Sequence, residues 1–134
     1  MDREMALWLA ELIRQAVEVL EHDPGLTLEV DDHPHLWLQI LLEADEETGA
    51  LKGYILNFPY RSQTGDPLEA IARAGLLAPP DTKILEWEEG GYARIWIRPD
   101  APLLALALFI GDLLEKIVGM PEGETFSVQI EYGY

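Results

Sequence analysis

The run LLALALFI, residues 103–110, places no polar side chain on any side of a helix. A helix that is apolar around its whole circumference must be buried on several sides, either deep in a core or sandwiched at a subunit interface. Asp100 and Pro102 predict its N-terminus, and the sequence from Gly119 to Gly123 predicts its stop, so the helix is expected over about 101–118.

The remaining sequence supplies strands to pack against it. Residues 3–20 carry Met5, Trp8, Leu9, Leu12, Ala16, Val19 and Leu20 at helical spacing, ended by His22-Asp23-Pro24-Gly25. Strict alternation predicts strands at 26–30, 35–44 and 51–58, joined by short turns and so paired antiparallel as a meander. Asp66 and Pro67 predict the cap and first residue of a helix over 67–75. Glu89-Gly90-Gly91 predicts a tight turn between strands 82–88 and 92–98, and a last half-buried strand runs from Phe126 to Tyr132. The expected fold is therefore α+β, an antiparallel sheet with helices packed on it in the order α-βββ-α-ββ-α-β. A length of 134 residues, of which 49% are hydrophobic, fits a single domain spanning 1–134.

Charge narrows the partners. Twenty-five acids against nine bases give a formal net charge of −16, which repels nucleic acid and anionic lipid. No cationic, apolar leader opens the sequence, and the longest apolar run, 101–111, falls short of the ~20 residues that span a bilayer. A soluble, cytoplasmic protein is expected, with no membrane partner. The absence of cysteine excludes disulfides, thiolate nucleophiles and cysteine-ligated metals. A single Asn, more Arg than Lys and nine prolines fit a thermophile or a GC-rich genome.

Catalytic motifs are missing. The two serines, Ser62 and Ser127, are not in a nucleophile elbow, and no glycine-rich phosphate loop is present. No cofactor is expected. The one dense group of potential ligands is His22, Asp23, Asp31, Asp32, His33 and His35. Asp31, His33 and His35 would point to one side of an extended chain and could hold zinc or iron for a metal-dependent hydrolase. Turn formation explains the same residues, and Pro34 interrupts the geometry. Asp45-Glu46-Glu47 reads as a solvated hairpin tip, lacking the ligand spacing of a calcium loop.

Aromatic residues point elsewhere. Strand 92–98 puts Tyr92, Arg94, Trp96 and Arg98 on one face and Ala93, Ile95 and Ile97 on the other. Trp37 and Leu41 share the second face of strand 35–44. Tyr, Trp and Arg are enriched where proteins bind proteins, and an aromatic face of this kind also suits a small ligand.

The paired amphipathic strands 36–42 and 51–59, and the passage GYARIWIRP leading into LLALALFIGDLLEKIVG, resemble the secretion-chaperone fold. That fold is shared by class I type III secretion chaperones and YbjN-like proteins described as sensory-transduction regulators. The resemblance implies a non-enzymatic homodimer that binds an extended segment of a client or regulatory protein. It implies client contact through Trp8, Trp37 and Leu41, and dimerisation through Ile71, Trp87 and Trp96. Strand 126–132 departs from the family pattern, and along a sheet edge it could block the client groove.

Overall fold

The computed structural model describes residues 1–61 and 64–133, so Ser62 lies outside the described residues. The strands are β1 (Pro24–Val30), β2 (His33–Ala44), β3 (Leu51–Tyr60), β4 (Lys83–Trp87), β5 (Gly91–Ile97) and β6 (Phe126–Tyr132). The helices are α1 (Arg3–Glu18), α2 (Pro67–Arg73) and α3 (Leu103–Leu113). The strands form one six-stranded sheet in the order β4-β5-β3-β2-β1-β6, with every neighbour antiparallel. The α+β class and the order of elements are those expected from periodicity.

Each helix has a local reason to start or stop. Asp2 accepts a hydrogen bond from the Met5 amide at 2.8 Å and caps α1. Asp66 does the same for α2, accepting from the Leu68 amide at 2.8 Å and the Glu69 amide at 3.3 Å, with Pro67 in the first turn. The cap expected of Asp100 does not form. Pro102 occupies the cap position of α3 without a side-chain bond, while the Asp100 carboxylate receives the Arg98 guanidinium, with Nη2 at 2.9 Å. A charge-assisted bidentate bond outcompetes a backbone cap. Beyond Leu113 the helix widens into one π turn, Leu114–Val118, closed by Gly119 at φ 103°. α1 likewise stops at Glu18, short of the expected 20, and a 3-10 turn over Leu20–His22 follows it.

All three helices bury their apolar sides in one core with one face of the sheet. Ala6, Leu9, Ile13 and Ala16 of α1 meet Leu106, Ala107, Ile110 and Leu113 of α3. Beneath them lie Leu26, Leu28 and Val30 of β1, Leu38 and Ile40 of β2, and Tyr54, Leu56, Phe58 and Tyr60 of β3. α3 is thus buried on several sides, as a helix apolar all round requires. Among its large side chains Leu108 is exposed, at 39%, and Leu103 and Leu104 in the first turn are half-buried. Gly111 matters here, because a Cβ at that position would stand 2.7 Å from the Met1 Cβ. The missing side chain lets Met1 pack on α3, where its ammonium group pairs with Glu115.

β6 resolves the departure noted in the sequence. It pairs along the free edge of β1, from Pro24 opposite Tyr132 to Val30 opposite Phe126, and extends the sheet by one strand. It crosses neither face.

Candidate functional site

The alternation of β2, β3 and β5 that sends aliphatic residues into the core sends a second set outward. Trp37, Leu41, Ile55 and Trp96 are half-buried but stand outside the core that the helices share. Among the described residues no helix covers this outer face. The register aligns it into rows. One row runs Lys83, Trp96, Ile55, Leu41, Gly25, Glu131 from β4 to β6, and the next runs Glu86, Arg94, Asn57, Gln39, Thr27, Gln129.

Two glycines flatten the apolar row. A Cβ on Gly53 would lie 2.1 Å from Trp96 Nε1, and one on Gly25 would lie 3.1 Å from Leu41 Cδ2. The indole and the leucine therefore lie down over the backbone instead of standing up from it. Glycine inside a strand signals close approach of this kind, and sequence reasoning that weighed Trp37 and Leu41 passed over that signal at Gly25 and Gly53. Lys83 Nζ covers the Trp96 ring at 5.3 Å from its centroid. In the polar row, Asn57 Oδ1 and Arg94 Nε are buried without partners, although the two residues face each other across β3 and β5.

A second surface lies on the helix side at the β6 edge. Trp8 of α1 is 45% exposed, with its ring 6.3 Å from that of Phe126. Ile130 points to the same side and is 39% exposed because α1 does not reach over it. The edge itself is regular, since β6 runs seven residues against β1 without a register shift. The opposite edge strand, β4, is shorter and carries an irregularity between Ile84 and Glu86, a device that discourages further pairing.

Trp37, Leu41 and Trp96, expected in two different roles, share the outer face, while Trp8 belongs to the β6 edge. Ile71 is corrected. It is 2% exposed and packs in the core, because a helix of only seven residues must bury its apolar side to stay formed, so it has no surface to offer a second subunit. Trp87, 37% exposed, packs edge-on against the Tyr60 ring at 6.0 Å.

The expected metal trio does not converge. Asp31 turns to β6 and accepts hydrogen bonds from the Thr125 and Ser127 hydroxyls, which hold its carboxyl below the ordinary value. His33 instead approaches Glu124, with Nε2 at 3.8 Å from the carboxylate, and its ring meets that of His35 edge-on at 6.0 Å. Among the described residues no three His, Asp or Glu side chains gather as a metal site. The physical reason is the two-residue turn at Asp31-Asp32, where Asp32 takes φ 64° and breaks the extended geometry the trio needed. Asp45 is likewise engaged, accepting from the Glu47 and Thr48 amides at 2.9 and 3.0 Å, as a hairpin tip does.

Trp96 also borders an open cleft of about 620 Å³ with Lys83 and Arg98, but Arg98 is held there by Asp81 and Asp100. No helix among the described residues is long and apolar enough to cross a membrane. No protein-family model, curated protein or solved structure matches this chain, so its function is read from these two surfaces.

Proposed function

We propose that this chain is a non-catalytic, homodimeric protein-binding module of the chaperone or regulator type, acting in the cytoplasm. It takes up an extended segment of a partner protein along the free edge of β6. The carrying observation is that regular, unguarded edge beside exposed Trp8 and Ile130. An added strand would satisfy the outward backbone groups of β6 and send alternate side chains toward Trp8 and Ile130. Its other side chains would lie beside Ser127, Gln129 and Glu131, next to Asp31, so basic and polar residues suit those positions. The resemblance in element order to the secretion-chaperone fold supports the same reading.

An array of short synthetic peptides with alternating apolar and basic residues tests it, with scrambled sequences as controls. Alternating peptides should bind, a central proline should abolish binding by removing a backbone N–H, and Trp8→Ala should weaken it on the order of tenfold. Binding indifferent to the proline, or no binding above the scrambled controls, would overturn strand addition.

A further inference from the structure

The outer face is divided by charge, and its two halves match each other. On the β4–β5 side stand Lys83, Arg94 and Arg98, three of the nine cations of a chain with net charge −16. Glu86 is there too, taken by the Tyr92 hydroxyl, and Arg98 is paired with Asp81 and Asp100. On the β1–β6 side stand Glu29, Asp31 and Glu131, with no cation on either strand. Between them lies the flattened row of Trp96, Ile55 and Leu41.

We infer that two copies of this chain pack outer face to outer face, about a two-fold axis running along the strands between β2 and β3. The inference rests on the homodimer in the reading above and names its interface. Such an axis reverses the strand order of the facing copy. Lys83 then lies over the partner's Glu131, Trp96 over the partner's Gly25, and Ile55 over the partner's Leu41. Trp96 thus comes over the low surface where the partner's Leu41 lies across the partner's Gly25, and the cation at one end meets the carboxylate at the other. In the next row Asn57 comes over the partner's Gln39, which brings a fresh amide to a residue whose Oδ1 has no partner in the single chain. The alternative axis, across the strands, would stack β5 on β5 and β6 on β6. It would set the half that carries Lys83, Arg94 and Arg98 against itself and the half that carries Glu29, Asp31 and Glu131 against itself, a like-charge arrangement that is costly. Flat faces of this kind pack about 10 Å apart with strands roughly aligned. The two surfaces then divide the work: the outer face is covered by the second copy, and each β6 edge stays open to a partner strand.

Light scattering behind a sizing column, with sedimentation equilibrium for dissociation constants, tests this on the full chain. Wild type should run at twice the chain mass, and Leu41→Glu should run as a monomer with an unchanged circular-dichroism spectrum. Glu131→Lys should weaken the dimer roughly tenfold. That direction is diagnostic, because lowering the net negative charge would otherwise favour self-association. Lys83→Glu should weaken it as well, and the double variant Lys83→Glu, Glu131→Lys should restore it. Within one chain these residues lie at opposite edges, about 24 Å apart by strand spacing, so rescue can only run between copies. A monomeric wild type would overturn the homodimer reading and this interface together. A wild-type dimer that survives Leu41→Glu and shows no rescue would overturn this interface alone.

Discussion

Trp96 lies across Gly53, with Nε1 2.1 Å from the point a Cβ on that glycine would occupy. The indole is accommodated by the absence of one methyl group, two strands' worth of backbone supporting it from β3 and β5. Gly53 is not held in the left-handed region, so its identity is set by the ring above it and by the Ile97 carbonyl, 3.0 Å from the same point.

Gly53→Ala should therefore destabilise by collision, at roughly 1–3 kcal/mol as for other overpacked sites. The urea midpoint should fall, and tryptophan emission should shift to the red as the ring lifts into water. Combining it with Trp96→Ala isolates the cause. In that background the alanine should cost less, leaving a coupling energy of about 1 kcal/mol or more. Simple additivity would show that the ring is not what excludes a side chain at Gly53.

Asp31 links the β1–β2 turn to β6 through the Thr125 and Ser127 hydroxyls. Both bonds favour the ionised carboxylate, and the Thr125 hydroxyl is the larger cause of its lowered pKa. A depressed folded-state pKa contributes stability that is present above the unfolded value, near 3.8, and lost as pH falls through the folded value. The protection of β6 amides against hydrogen exchange, corrected for the intrinsic pH dependence of exchange, should fall below about pH 4, before that of the central strands β2 and β3. Asp31→Ala should show faster β6 exchange already at neutral pH and lose that acid step. The group is exposed, so the effect should be local to the edge and leave the global unfolding midpoint nearly unchanged.

Much of this architecture is legible residue by residue. The alternation in 35–44 correctly divides Leu38 and Ile40 from Trp37 and Leu41, because a half-buried strand enforces period two. Asp66-Pro67 carries its cap on its face, since capping is local chemistry. Register is different. That Trp96 stands beside Ile55, and Gly25 beside Glu131, depends on pairings between residues far apart in the chain, which no local pattern encodes. The metal trio fails for the converse reason. Asp31, His33 and His35 are close in sequence, but a positive φ at Asp32 breaks the extended run and Asp31 turns to the Thr125 and Ser127 hydroxyls, while the two histidine rings meet each other. Asp100 fails as a cap because a stronger local partner, Arg98, competes for its carboxylate.

The cap that does form gives a cleaner test of local chemistry. Asp66→Ala removes the acceptor for two amides at the start of α2, at a cost of about 1 kcal/mol. Asp66→Asn should recover most of it, because Asn keeps the accepting oxygen. Since Ile71 and Ala70 anchor α2 in the core, the loss should appear as a lower melting temperature without exposure of the outer face. An unchanged melting temperature would mean that tertiary packing alone fixes the first turn.

α3 is apolar on every side, yet its residues are not equivalent. Leu106 is fully buried between α1 and the sheet, whereas Leu108, two residues on, is 39% exposed. Leu106→Ala should cost about 2–5 kcal/mol through lost transfer energy and the cavity left behind. Leu108→Ala should cost well under about 1 kcal/mol, because part of its surface is already wet and alanine is the better helix former. The contrast separates the two burial modes open to an all-apolar helix. If α3 were sandwiched between subunits, Leu108 would be as intolerant as Leu106, and its substitution by serine would dissociate the dimer. With the second copy on the outer face of the sheet instead, Leu108→Ser should leave both the melting temperature and the dimer mass in place.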